Sequence, residues 1–217
     1  DLLNRILSMG IDKKWRKFLC QKLPLKPELE VLDLATGTGD VAFSVLKHDP
    51  AKIKQIVGLD LSEGMIEVAK TKKKQDNEKR KIKFGIGDAC QLNEKENSYD
   101  AVTMAFGIRN VPDYKKTLSE MYRVLKPNGR ALILEFSIPQ NPIFRRVYLV
   151  YLRYILPIIG GVLSGNREAY TYLNQSVEDF PYGEKMSKAI KEKGFKKVSY
   201  YPLSWGISTL YVGEKGC

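Results

Sequence analysis

The chain has 217 residues, 43% of them apolar and 28% charged, enough for one sizeable domain with a proper core and ordinary for a soluble globular protein. A single histidine, His48, and three widely separated cysteines, Cys20, Cys90 and Cys217, exclude histidine triads, carboxylate–histidine relays and cysteine–histidine metal sites, and read as reduced thiols of a cytoplasmic protein. The formal charge of +11 owes much to KTKKKQDNEKRKIK (Lys70–Lys83), which reads first as a solvated face and second as attraction to anionic lipid or nucleic acid.

Residues 1–24, LLNRILSMGIDKKWRKFLCQKL and its flanks, carry apolar positions at helical spacing and stop at Pro24, predicting an N-terminal helical segment. An alternation follows. Strand-like runs lie at Glu30–Ala35, Gln55–Asp60, Ile82–Gly87, Asp100–Phe106 and Arg130–Ser137. Helical stretches at Asp40–His48, Glu63–Lys74 and Tyr114–Leu125 fall between them, the last closed by Lys126-Pro127-Asn128-Gly129. Strands alternating with helices predict a doubly wound, Rossmann-like α/β fold built on a parallel sheet covered on both faces. Beyond Pro181 come a helix (Gly183–Lys193) and two strand candidates, Lys197–Leu203 and Ile207–Gly213, a hairpin-like ending that adds an antiparallel member.

Between Pro139 and Pro181 the pattern breaks. Ile143–Leu163 is aromatic and aliphatic, yet Arg145, Arg146, Arg153 and Pro157 interrupt it, and its uncharged runs are too short for a bilayer span. It reads either as helices buried over the sheet or as a cap over an apolar substrate that touches a membrane surface.

The chemistry concentrates at predicted strand ends. VLDLATGTGD is a strand, then Gly37-x-Gly39, then a helix start, a geometry that brings backbone N–H groups close to a ligand. Ala35, Thr36, Gly37 and Gly39 are its cofactor-binding candidates. Asp60 ends the next strand, 21 residues after Gly39, in position to take two ribose hydroxyls. This loop alone fits either NAD or S-adenosylmethionine. The surroundings favour the second: Asp33 would repel a pyrophosphate but suits a sulfonium ligand with an amino group. Asp88, followed by Ala89, can accept from an adenine amino group, while Leu61 and Met65 can pack on its face. Phe106 is expected in the same pocket, and the P-loop pattern of phosphate-binding NTPases is absent.

The sequence resembles the S-adenosylmethionine-dependent class I methyltransferases, and among them the ubiquinone/menaquinone biosynthesis C-methyltransferases. The resemblance rests on DLLNRILSMGIDKKW, VLDLATGTGD, GLDLSEGM, AFGIRNVPD, EMYRVLKPNGRALILEFS and EAYTYLNQSVEDFP, and covers essentially the whole chain. Departures are Asp12 three residues before Trp15, in the segment where a histidine is usual, Asn128 in KPNGR, and ATGTG in place of AGGTG. The resemblance implies one methyltransferase domain over residues 1–217 with a seven-stranded sheet, its last strand antiparallel, and a substrate-cap insert over about 139–181. It implies methylation of a ring carbon on a prenylated quinol, with S-adenosylmethionine as cofactor, S-adenosylhomocysteine as product and no metal.

Ligands of open α/β sheets bind outside the carboxyl ends of the strands, which puts MAFGIRNVPD beside the transferable methyl. A quinol carbon becomes nucleophilic as its neighbouring hydroxyl loses a proton, so groups that stabilise a phenolate are useful there. Arg109, a poor base because it stays protonated, is expected to orient water or stabilise oxygen charge, with Asn110 in support. Tyr170, Tyr172 and Gln175 are expected over the substrate, and Val147–Leu163 is the candidate for the prenyl tail. Peripheral contact with the inner face of the membrane and a homodimer are further expectations. A nucleic-acid substrate is not expected, because the Asn/Asp-Pro-Pro-aromatic motif of such enzymes does not occur after the fourth strand. Another small-molecule acceptor is the runner-up.

Overall fold

The computed structural model describes residues 10–74, 80–158 and 167–217, with the backbone alone for residues 74 and 167–170. Helix α1 (Asp12–Cys20) opens the described chain with an acid in its first turn, and buries Trp15, Leu19 and Cys20 along one stripe. Three strands and two helices follow: β1 (Leu29–Leu34), α2 (Asp40–His48), β2 (Ile53–Asp60), α3 (Glu63–Lys74) and β3 (Ile82–Ile86). Strand β4 (Tyr99–Ala105) leads through a 3₁₀ turn (Ile108–Asn110) into α4 (Tyr114–Val124), whose first turn is capped by the Asp113 side chain accepting from the Lys116 N–H. Strand β5 (Leu125–Phe136) precedes α5 (Pro142–Val150), which starts on an Asn141 cap with Pro142 in its first turn and runs into a π-helical turn (Tyr151–Ile155). Then come α6 (Arg167–Asp179), α7 (Glu184–Lys191), β6 (Lys197–Leu203) and β7 (Ser208–Glu214).

The seven strands form one sheet in the order β3-β2-β1-β4-β5-β7-β6. Strands β1 to β5 pair in parallel, and β7 inserts antiparallel to both β5 and β6. Side-chain alternation splits the core onto the two faces. Val31, Leu132, Leu134 and Phe136 join α1, α2 and the α5–α6 region on one side. Leu32, Leu34, Met104, Ile133 and Tyr211 join α4 and α7 on the other. The chain leaves β1 towards β2 and β3 and later returns on the other side of β1 as β4, so the strand order reverses between β1 and β4, where such sheets open a crevice.

The doubly wound sheet, its seven strands and its antiparallel last strand agree with expectation. Among the described elements, one boundary differs by more than two residues. The stretch Lys126–Gly129 was expected to separate helix from strand, yet it lies inside β5, with the register broken between Tyr99 and Ala101 and Asn128 at φ 62°. Long-range partners hold it there: the Asn128 N–H donates to the Lys215 carbonyl, and the Lys126 ammonium bridges Glu30 and Asp100. Of the N-terminal helical segment, residues 1–9 lie outside the described residues, and of the cap, residues 159–166 do.

Candidate active site

A cavity of about 380 Å³ opens at the carboxyl ends of β1, β2, β3 and β4, within the range of small-molecule sites. Its floor is the loop after β1. Ala35 (φ 48°), Gly37 (φ 55°) and Gly39 (φ 85°) turn the chain sharply before α2 begins. Gly39 is also sterically required, because a Cβ there would lie 2.6 Å from the Phe84 ring. Asp60 ties this loop to the next: one carboxylate oxygen accepts from the Gly37 N–H at 2.8 Å, the other from the Ser62 N–H at 2.9 Å. Asp88 is held by the Cys90 N–H at 2.8 Å. Leu61 and Met65 on the cavity wall are 64% and 43% exposed, an uncovered apolar surface beside polar groups that suits a flat ring.

The β4 end closes the opposite wall. Phe106 takes φ 58°, its N–H donates to the Leu134 carbonyl, and its ring stacks on Phe136 at 4.5 Å. Gly107 follows, so close to the first loop that a Cβ there would lie 2.6 Å from the Ala35 Cβ. Asn110, Val111 and Pro112 complete this side, and Arg16, Asp40 and Val41 close the rim from the helices.

Asp33 sits beneath the loop, not on the cavity wall. It is 1% exposed and accepts from the Thr36 and Thr103 hydroxyls at 2.5 and 2.7 Å. Burial pushes its carboxyl up to about 6, with the two hydroxyls and nearby backbone pulling it down. Cys20, near Asp33 on the same face, is pushed by burial up to about 12 and stays a protonated thiol.

Arg109 also lies behind the wall. Its guanidinium meets Glu135 at 2.5 Å, donates to the Phe106 carbonyl at 2.9 Å and lies over the Phe136 ring at 5.3 Å. Both partners of the ion pair are almost wholly buried, and the Arg109 Nε has no partner. The expectation that Arg109 opens onto the acceptor therefore meets a different local geometry, set by a carboxylate 26 residues further along the chain.

The structure thus brings Ala35, Thr36, Gly37, Asp60, Leu61, Met65, Asp88, Ala89, Phe106 and Asn110 around one cavity. Asp33, Gly39 and Arg109 support that cavity from behind its surface. Tyr172, on α6, is 61% exposed and does not line it, and the side chain of Tyr170 lies outside the described residues. Sequence reasoning passed over Arg16, Thr38 and Glu135. For Glu135 a signal existed: one acid within the apolar run ALILEF.

A doubly wound sheet with this strand order, a Gly-rich loop after its first strand and acids at the next two strand ends defines a methyltransferase of the S-adenosylmethionine-dependent class. Solved structures agree at the level of fold. A SAM-dependent methyltransferase from Thermotoga maritima superposes with a TM-score of 0.63 at 20% identity, covering 98% of this chain and 93% of its own. Phosphoethanolamine N-methyltransferase 2 of Haemonchus contortus, in complex with S-adenosyl-L-methionine, gives 0.66 at 17%, covering 97% of this chain and 57% of its own. The chain belongs to the ubiE/COQ5 methyltransferase family, whose model matches residues 1–215. It is 42% identical to the ubiquinone/menaquinone biosynthesis C-methyltransferase UbiE of Geotalea daltonii, over 99% of this chain and 91% of the relative. It is 41% identical to the demethylmenaquinone methyltransferase of Bacteroides fragilis, over 99% and 87%.

Proposed function

We propose that this chain, as one methyltransferase domain, methylates a ring carbon of a prenylated quinol, using S-adenosylmethionine. The observation that carries the reading is near-full-length similarity, above 40% identity, to enzymes named for that step. The cavity fits the donor. The lining supports this reading: Asp60 offers acceptors suited to ribose hydroxyls, Asp88 one suited to an adenine amino group, and Leu61 and Met65 exposed apolar surface for its ring. S-adenosylmethionine supplies an electrophilic methyl on a sulfonium. The protein's own residues then position the acceptor, exclude water and stabilise developing oxygen charge. Asn110 faces the cavity and can hold a quinol oxygen. Arg109 fixes the Phe106 carbonyl from behind the wall and shares its charge with Glu135, so it acts by holding this strand end in place and not as a base.

The acceptor's tail has a matching surface. A groove of about 550 Å³, lined among others by Phe144, Val147, Tyr148, Tyr151 and Ile155, is largely apolar, with Arg146 its one cationic lining residue among the described residues. We assign the tail to it and, through the tail, a working position at an anionic membrane surface. Among the described residues no helix is long and apolar enough to cross a membrane. The decisive experiment incubates the protein with labelled S-adenosylmethionine and separate prenylated benzoquinol and naphthoquinol acceptors. Label entering the ring carbon of one or both is expected, with Arg109→Lys lowering turnover about tenfold or more while S-adenosylhomocysteine affinity stays within about twofold. Label in neither quinol would overturn the proposal, and full activity of Arg109→Lys would remove Arg109 from it.

A further inference from the structure

The methyl donor carries three charged groups in its methionine half: a sulfonium, an ammonium and a carboxylate. Acceptors for the cationic groups are plentiful, with Asp40 on the cavity rim and Asp33 beneath the loop. The carboxylate is the harder guest, since an anion leaving water beside these acids needs a cation or a set of donors. Among the described residues that line the cavity, one is cationic: Arg16.

Arg16 reaches the cavity from α1, outside the sheet, and that helix is anchored. The Trp15 indole N–H donates to the Ser204 hydroxyl at 2.9 Å, and its ring packs against Phe106 and Phe136. The Arg16 side chain is only 10% exposed. One terminal nitrogen meets Asp12, one turn earlier, at 2.7 Å, and the other meets Asp40, on α2, at 3.6 Å. Two carboxylates on two helices therefore hold both ends of the guanidinium fork. The third donor position, Nε, is buried and has no partner. A buried N–H left without an acceptor is costly, so the Arg16 fork still has a donor to satisfy when a ligand enters the cavity that the residue lines.

We propose that Arg16 receives the α-carboxylate of the methionine portion of S-adenosylmethionine, with Asp12 and Asp40 as the residues that orient it. This rests on the methyl-donor reading and adds a specificity-determining residue to it. The wall then complements a zwitterion: a buried guanidinium on the helix side, and a buried carboxylate beneath the loop on the sheet side.

The test compares two ligands by calorimetry: S-adenosylhomocysteine, and its analogue in which the α-carboxylate is replaced by hydrogen. Wild type should prefer S-adenosylhomocysteine by about 10- to 100-fold, the usual worth of a charge-assisted hydrogen bond. Arg16→Gln should collapse that preference towards one, weakening S-adenosylhomocysteine while leaving the analogue unchanged, and Arg16→Lys should fall between. Equal weakening of both ligands by Arg16→Gln would show an action through the fold and overturn the assignment. So would a wild type that binds both ligands equally. Should Arg16→Gln fail to fold by circular dichroism, Arg16→Lys carries the same comparison, and equal weakening of both ligands overturns the assignment there too. Binding of neither ligand by wild type would overturn the methyl-donor reading itself, and the Arg16 assignment with it.

Discussion

Asp33 carries the sharpest electrostatic consequence of the site. Its carboxyl is buried deeply enough that two hydroxyl donors do not offset the desolvation, and it titrates at about 6, above the usual carboxylate range. The ammonium of a ligand seated on the loop above, present in S-adenosylmethionine and S-adenosylhomocysteine alike, favours the charged form, so binding expels the proton that Asp33 carries at low pH. The sign follows: affinity for S-adenosylhomocysteine should rise as pH rises through about 6 and level off above it. Calorimetry between about pH 5 and 8 measures this, and Asp33→Asn should flatten the profile and bind about tenfold or more weakly at the high end. A profile unchanged by Asp33→Asn would show that another group titrates. Glu135 poses the opposite problem. It is buried, and its cost is offset by Arg109, the Phe136 N–H and, more distantly, the Arg109 N–H. That pair is why Arg109 faces inward.

At the scale of elements, the site depends on how closely two strand-end loops approach. The turn after β4 touches the loop after β1 at Gly107 and Ala35, and the 2.6 Å gap left for a Cβ at Gly107 is below any real contact. Sterics alone decide this position, since Gly107 has an ordinary φ of −112°. Gly107→Ala should push the loops apart, costing about 1–3 kcal/mol of stability, as overpacking does. S-adenosylhomocysteine affinity should drop at least tenfold, because Phe106 and Asn110 move with the turn. Chemical denaturation and calorimetry give the two numbers. Adding Ala35→Gly removes the opposing methyl at a residue already at φ 48°, and should recover most of both losses. If the double variant recovers nothing, the contact is not the cause.

At the scale of the whole molecule, an exposed apolar stripe runs along α5 among the described residues. Ile143, Val147, Val150, Tyr154 and Ile158 recur at three- and four-residue spacing along α5 and beyond it, and all are exposed. Trp205, 82% exposed at φ 59°, stands edge-on to Phe144 at 5.2 Å beside them. The exposed Arg145 and Arg146 flank this stripe in a chain of net charge +11. An apolar stripe flanked by cations is suited to contact with anionic lipid, which is the proposal to test here. Flotation with anionic liposomes should carry the protein upward, and a triple change, Ile143→Ser, Val147→Ser and Trp205→Ala, should cut partitioning about tenfold or more. Equal flotation of the triple variant would place the membrane contact elsewhere or nowhere.

The order of residues by itself determined the sheet and the positions of the loops that line its cavity. Those features are local: apolar runs of strand length, helical spacing between them, glycines and acids at the ends. They leave their mark within ten residues of where they act, which is why Gly37, Asp60 and Asp88 could be read directly. Only the tertiary structure decided where side chains at those ends point. Arg109 turns to Glu135 because β4 and β5 are neighbours, with Ala105 opposite Leu134. Lys126–Gly129 joins a strand because distant carboxylates and the Lys215 backbone hold it. Arg16 enters the cavity because Trp15 is fastened to Ser204, 189 residues away. Each of these contacts joins segments whose separation along the chain carries no periodic signal, so only their packing reveals them.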